Sequence, residues 1–365
     1  MLLARLGSLN ALEQTRANRG VWRSLLGEGE EVPSADTLAR VQTLLDPDAV
    51  RDLLARFYAR LKRSKALPAP PHGLMALVID GHETTASYRR CCKGCLQREI
   101  KTGLATRTQY YHRYAVGMLA GEGFELLLDL EAQRPGEDEV AAATRLLERV
   151  ARRFPRAFDV VLADALYART SFFQTVKRLG KDALVVLKHE EWALTQEVRA
   201  LSHQVPATEL MIGSKRLRCW DLSSLPWAEY DGTVRVVRSE ETTPIRRQLT
   251  KSVEEMQSSW AWVTTLAPSS APTQAIIALG HRRWSIENQG FNEAVTAWHM
   301  DHVYRHEPRA MEVMLLLLML AFNLLHLFYD RNLQPAMRRR ATLQHIAREI
   351  MASLHASHPQ PRAPT

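Results

Sequence analysis

Two short apolar runs, each rich in branched side chains and each ending in an aspartate, constrain this chain most strongly. LMALVID ends at Asp80 and FDVVLAD ends at Asp164. Apolar runs of this length predict buried strands. An acid directly after such a run is held on a rigid element yet lies close to solvent. A lone aspartate there is more often a turn or cap residue than a ligand, but two in the same context form a candidate site.

The segments around these runs predict a mixed sheet. GLMALVID, TQYYHRYAVGMLA and FELLLDLEAQRP are three predicted strands, and EDEVAAATRLLERVARRF is a predicted amphipathic helix. FDVVLADALYA and DALVVLKH are two more strands, separated by a helix over TSFFQTVKRLG. The order β, β, β, α, β, α, β predicts an α/β (mixed α+β) fold resembling RNase H, with helices flanking the sheet. Its first and fourth strands are neighbours, so Asp80 and Asp164 are expected to meet at adjacent strand ends.

Charge and cysteine content indicate the class of partner and the compartment. The 365 residues carry a net charge of +8, which favours an anionic partner, with nucleic acid first and a merely basic soluble protein as the alternative. Four cysteines are too few for a secreted disulfide scaffold, and no cleavable signal peptide is visible. The most apolar stretch, residues 313–328, is shorter than a bilayer span of about 20 residues. We therefore expect a cytoplasmic protein, a buried core helix and no membrane partner.

Changes in pattern along the chain predict its domain organisation. Residues 1–72 form a predicted N-terminal helical region that is a candidate for binding DNA ends. Residues 73–190 and 266–330 form the predicted RNase H-like domain. Residues 191–265, with short alternating segments between turn residues, form a predicted β-rich insertion. Residues 331–365 form a C-terminal tail whose Pro-rich end is expected to be disordered.

A third acid, Glu287, lies in HRRWSIENQGFNE, one helical turn after Arg283. Two interpretations are open. The pair could be an ordinary ion pair at i and i+4, worth about 0.2–0.5 kcal/mol. Alternatively, Glu287 binds a metal ion while Arg283 contacts a phosphate. With Asp80 and Asp164, Glu287 would complete a set of carboxylates able to hold two Mg²⁺ ions about 3.5–4 Å apart.

With these motifs the chain resembles the DDE transposases of bacterial insertion sequences, in particular the group with a β-rich insertion between the second Asp and the Glu. That group carries the signature Tyr, two residues, Arg, three residues, Glu, six residues, Lys. Arg283 and Glu287 match it, whereas Gly280 and Ala294 stand at the Tyr and Lys positions. The run IENQGF matches a variant associated with a subgroup.

The resemblance implies an activity and a site. Asp80, Asp164 and Glu287 would coordinate two Mg²⁺ (or Mn²⁺) ions in an enzyme that cuts at insertion-sequence ends and joins them to target DNA. Its partner would be double-stranded DNA, bound by a homodimer on paired ends, in the cytoplasm at the nucleoid. Two alternatives are a nuclease of the same fold without strand transfer and a decayed or domesticated transposase that only binds DNA. The predicted DNA contacts are Arg282, Arg283 and Asn288, with His281 as a further candidate for the terminal phosphate.

Cysteine and histidine residues between and after the first strands predict a second metal site. His82, Cys92, Cys95 and His112 supply the ligand types of a structural Zn²⁺ site. A single CxxC motif is a weak signal, and reduced thiols with hydrogen-bonded histidines are the alternative.

Overall fold

The computed structural model describes most of the chain. The described residues are 2, 7–16, 26, 31–103, 105–121, 123–188, 192–247 and 252–356. Residues 357–365, which hold most of the Pro-rich end predicted to be disordered, lie outside the described residues. So do parts of the predicted N-terminal helical region and Glu122, which lies between the second and third predicted strands.

Groups of helices and groups of strands follow one another along the described residues. The helices are α1 (Leu9–Thr15), α2 (Ala35–Leu44), α3 (Pro47–Arg63), α4 (Glu139–Arg153), α5 (Thr170–Arg178), α6 (Ala193–Gln204), α7 (Thr273–Arg282), α8 (Asn292–Trp298), α9 (Pro308–Asn332), α10 (Pro335–Arg340) and α11 (Leu343–Ala356). The strands are β1 (Ala76–Glu83), β2 (Leu96–Thr102), β3 (Ala105–Tyr111), β4 (Arg113–Gly121), β5 (Phe124–Ala132), β6 (Val160–Ala163), β7 (Asp182–Val186), β8 (Thr208–Ile212), β9 (Lys215–Pro226), β10 (Thr233–Arg246) and β11 (Val253–Thr264).

One mixed sheet forms the centre of the fold, in the order β5-β4-β1-β6-β7-β11-β10-β9-β8. β1 is antiparallel to β4 and parallel to β6, and β6 is parallel to β7. The prediction that the strands of Asp80 and Asp164 are neighbours is therefore confirmed, as is the mixed α+β class. Asp164 directly follows β6, whereas Asp80 lies inside β1 and pairs there with Val116 of β4. β6 is buried along its whole length, as expected of a parallel strand with helices on both faces.

Two β regions differ in detail from the sequence interpretation. The predicted strand TQYYHRYAVGMLA breaks at His112, because β3 pairs with β2 in a separate two-stranded sheet while β4 joins the central sheet. The predicted β-rich insertion contains β8 to β11, and β11 pairs antiparallel with β7, with Trp262 opposite Val186. The insertion strands therefore continue the central sheet.

The apolar helix α9 covers an edge of the sheet. It is long and apolar enough to cross a membrane by length and composition alone, but over half of its apolar window is buried within the structure. The amide of Asn323 accepts a hydrogen bond from Leu127 N at 3.0 Å and donates one to Leu127 O at 2.7 Å. β5 is an edge strand, so this amide satisfies backbone groups that would otherwise be unpaired. The predicted buried core helix is confirmed.

The N-terminal helix α3 packs into the same core. Leu54 and Tyr58 are almost fully buried there. On the same helix, Arg51 is buried, donates to Asp129 at 2.9 Å and forms an ion pair with Glu312 of α9. Asp129 is fully buried, and a buried charge of this kind is stable only when it is paired. These contacts join α3, β5 and α9.

Candidate active site

Asp80 and Asp164 lie level with each other on neighbouring parallel strands. Val78 is opposite Leu162 in the register between β1 and β6, and each aspartate comes two residues later. The backbone of Asp164 is extended, which continues that register. Because neighbouring strands lie about 4.8 Å apart and side chains alternate between faces, the two carboxylates belong to the same face. Asp164 Oδ1 also accepts a hydrogen bond from Leu166 N at 2.9 Å, which fixes the side chain.

Glu287 reaches the same place from a π-helix, Ile286–Phe291, between α7 and α8. Short π-helices frequently occur at functional sites. Arg283 Nη1 donates to Glu287 Oε1 at 2.9 Å and to Asp80 Oδ2 at 3.4 Å. The ion pair at i and i+4 therefore exists, but the same guanidinium also contacts an acid on β1. Arg283 is buried, whereas the Glu287 side chain is 38% exposed.

The electrostatics of Asp80 reflect this crowding of acids. Burial raises the pKa of Asp80 to about 7, and the negative charges of Asp164 and Glu287 add to the rise. The hydrogen bond from Gly81 N and the charge of Arg283 oppose it. Three carboxylates around one partly buried position are costly without a cation. The arrangement therefore suits a divalent metal ion with oxygen ligands.

A fourth carboxylate, Glu139 in the first turn of α4, lies against Gly81 and close enough to Asp164 to feel its charge. It accepts a hydrogen bond from the Tyr167 hydroxyl at 2.7 Å and lies 3.6 Å from Arg113 Nη1. A Cβ atom at Gly81 would lie 2.2 Å from Glu139 Oε2, so Gly81 leaves the space that this carboxylate fills. Burial raises the pKa of Glu139, and the charge of Asp164 contributes. Sequence reasoning missed Glu139, because an acid in the first turn of a helix is ordinarily a favourable cap.

Comparison with known protein families agrees with this geometry. The sequence pattern of one family, described as the Transposase DDE domain, matches residues 73–324. The chain belongs to the DDE transposase family. No curated protein matches the chain. The matched residues include β1, β6 and the π-helix, and therefore all three acids of the candidate site.

The structure of this transposase explains both departures from the expected signature. A Cβ atom at Gly280 would lie 2.4 Å from Trp262 Nε1, so the indole occupies the space that a tyrosine at this position would need. Ala294 is fully buried, where a lysine ammonium would lose its hydration. The packing therefore accommodates Arg283 and Glu287 of the signature but neither its tyrosine nor its lysine.

The three predicted DNA contacts differ in exposure. Asn288 is exposed next to Glu287, and Arg282 is half-buried at the end of α7. Arg283 is buried and its Nη1 is bonded to two carboxylates, so contact of its guanidinium with a phosphate requires a movement that exposes the side chain. His281 Nε2 lies 2.7 Å from Glu241 Oε1 on β10 and is engaged there.

Three of the four residues predicted to bind zinc come together. Cys92, Cys95 and His112 form a group that could hold a metal ion, and the fourth member is His306. His82 lies elsewhere: it is buried, and its ring centroid is 5.1 Å from that of Phe291 in the π-helix. Sequence reasoning missed His306 because it lies in the loop before α9, 194 residues after His112 (306 − 112).

Proposed function

We propose that this transposase cleaves DNA at the ends of an insertion sequence and joins those ends to target DNA by metal-dependent phosphoryl transfer. The observation that supports this most is the position of Asp80 level with Asp164, with Glu287 joined to Asp80 through one guanidinium. Acids on or directly after adjacent strands and on a third rigid element can be held in a fixed geometry. Phosphoryl transfer depends on such positioning and on charge stabilisation.

The proposed ligands for Mg²⁺ or Mn²⁺ are Asp80, Asp164 and Glu287, since these cations prefer oxygen donors. Two such ions, when bound, polarise the attacking oxygen and stabilise the leaving oxygen of an in-line displacement. The protein itself holds the three carboxylates in fixed positions. Arg283 balances the charge of two of these acids, and we propose that it turns to a DNA phosphate when the metal ions replace it.

The proposed partner is double-stranded DNA. Asn288 and Arg282 lie on either side of the Arg283–Glu287 pair in sequence and retain exposed surface, so we propose that they contact the phosphates next to the cleaved bond. The net charge of +8 favours association with DNA. We further propose that two copies act together on paired ends, in the cytoplasm at the nucleoid.

The test is cleavage of a linear DNA fragment that carries both flanks of this gene's own locus, with Mg²⁺ and with EDTA. Wild type is compared with Asp164→Asn and Glu287→Gln, which keep side-chain size and remove the charge. Glu254→Gln serves as a control, because Glu254 is an exposed acid of β11 that pairs with Arg247. Circular dichroism and thermal unfolding establish that each variant is folded.

The expected result is Mg²⁺-dependent cleavage and joined products for wild type and the control, and neither for the two site variants. Cleavage without joined products would identify a nuclease of the same fold. Binding of the ends without cleavage in Mg²⁺ or Mn²⁺ would identify a DNA-binding protein that has lost catalysis. Cleavage that persists in both site variants would reject the proposed metal site.

A further inference from the structure

The sulfur and nitrogen atoms of Cys92, Cys95, His112 and His306 all lie within 4.8 Å of one another. Cys92 Sγ and Cys95 Sγ are 3.7 Å apart, and His112 Nε2 lies 3.4 Å and 3.3 Å from these two atoms. His306 Nε2 lies 3.2 Å from Cys95 Sγ. Zn–S bonds of about 2.3 Å and Zn–N bonds of about 2.0–2.1 Å at tetrahedral angles give ligand separations of about 3.8 Å between sulfurs and about 3.5 Å between sulfur and nitrogen. The four observed separations are close to these expected values.

Hydrogen bonding alone does not account for the cluster. Cys95 Sγ has three polar side-chain atoms around it and also accepts from Cys92 N at 3.2 Å. A thiol has one weakly acidic proton and is a poor acceptor, so it cannot satisfy four such neighbours. A cation at the centre would be shared by all four side chains, and the Cys92 N–H bond would then support a coordinating sulfur, as outer-shell bonds do in metal sites.

We propose that Cys92, Cys95, His112 and His306 bind a structural Zn²⁺ ion. Two thiolates and two imidazoles in a tetrahedron favour zinc over the oxygen-preferring ions proposed for the carboxylates. Four protein ligands leave no open position for substrate, which is typical of a structural site. The proposal does not depend on the transposition chemistry.

The ligands join three segments that are far apart in sequence. Cys92 and Cys95 precede β2, His112 separates β3 from β4, and His306 precedes α9. A Cβ atom at Gly94 would lie 3.1 Å from Pro308 Cγ, so the turn between the cysteines lies flat against the start of α9. The ion would therefore tie the β2–β3 hairpin, at its junction with β4, to the loop between α8 and α9.

The experiment measures zinc in the purified, untagged full chain by mass spectrometry after dialysis against buffer with micromolar zinc. Cys92→Ser and His306→Ala are compared with matched controls, Cys91→Ser and His302→Ala. Cys91 is exposed beside Cys92, and His302 is a nearby histidine outside the cluster. We expect about one zinc per chain for wild type and both controls, and a loss of most of it in both ligand variants.

Two further measurements keep the result interpretable if a ligand variant fails to fold. His306→Cys retains a ligand and is expected to retain zinc. Wild type loaded with Co²⁺ is expected to show the visible absorption of a tetrahedral site and a sulfur-to-cobalt charge-transfer band. Wild type without zinc, wild type carrying iron instead, or full zinc content in folded His306→Ala would each overturn the proposal. Cleavage activity is not part of this test, so failure here and failure of the proposed function are distinguishable.

Discussion

The guanidinium of Arg283 lies 3.4 Å from the carboxylate of Asp80, although 203 residues separate them in sequence. The same Nη1 atom lies 2.9 Å from Glu287, so one buried cation joins β1 to the π-helix. This arginine partly offsets the negative charge that the two acids place side by side.

Removal of the positive charge of Arg283 is expected to make the stability of the protein depend on Mg²⁺. Arg283→Met keeps a long unbranched side chain but leaves Asp80 and Glu287 unpaired, which we expect to destabilise the metal-free protein by about 3 kcal/mol. Mg²⁺ should then raise the melting temperature of the variant more than that of wild type, because only the variant lacks a cation there. The measurement is thermal unfolding in EDTA and in Mg²⁺, with Arg282→Met as the neighbouring control. An equal Mg²⁺ effect on Arg283→Met and wild type would contradict the expectation.

The raised pKa of Asp80 predicts a particular dependence of stability on pH. Burial raises this pKa to about 7 in the folded chain, whereas an aspartate in an unfolded chain titrates near about 3.9. Between these values the folded state holds a proton that the unfolded state has released. The contribution of Asp80 to stability is therefore fully present below about pH 4 and is lost as pH rises through about 7.

Asp80→Asn removes that titration. We therefore compare the free energies of unfolding of wild type and Asp80→Asn in EDTA, and we expect the value for wild type minus the value for the variant to fall as pH rises from 5 to 8. Denaturant unfolding at each pH measures this difference. Glu254→Gln is the control, because it removes one exposed carboxylate on β11 and so measures the pH dependence that comes from losing a carboxylate outside the site. A difference that stays constant across this pH range would show that Asp80 titrates normally.

Much of the site could be predicted because its signals are local. The apolar runs before Asp80 and Asp164 determine two buried strands, and the alternation of elements between them implies that these strands are neighbours. The spacing of Arg283 and Glu287 alone left an ordinary ion pair open, and the resemblance to the family signature singled Glu287 out. The two strands needed only apolar runs and element order.

The residues that were missed act through contacts between distant segments. His306 joins Cys92 and His112 only because the loop before α9 folds back onto the β3–β4 junction. Glu139 follows a helix cap, Asp138, and nothing in its neighbourhood in sequence shows that it fills the space above Gly81. Long-range packing of this kind leaves no periodic pattern.

The close approach of Gly81 and Glu139 can be measured with a double-mutant cycle. Gly81→Ala is expected to destabilise the protein by about 1–3 kcal/mol, because the added methyl group displaces a buried carboxylate. Combining it with Glu139→Ala removes the clash, so the double variant should be more stable than the sum of the single effects predicts. Gly117→Ala on β4 is the control, since a Cβ atom there meets nothing closer than 3.5 Å. Additive effects of the two changes would reject the contact.

The packing of Gly280 against Trp262 predicts a reversal of an ordinary helix effect. In a helix interior, replacing glycine by alanine usually raises stability by up to about 1 kcal/mol. At Gly280 the new Cβ would lie 2.4 Å from the indole, so Gly280→Ala should lower stability by about 1–3 kcal/mol. Gly280→Tyr restores the residue of the family signature but needs still more space, so it should prevent folding. In a Trp262→Leu background the same Gly280→Ala change should cost less stability than it does in wild type, because the smaller side chain leaves room for the added methyl group. Denaturant unfolding measures all four chains of the cycle, and a Gly280→Ala variant as stable as wild type would show that the indole leaves room for a Cβ atom at this position.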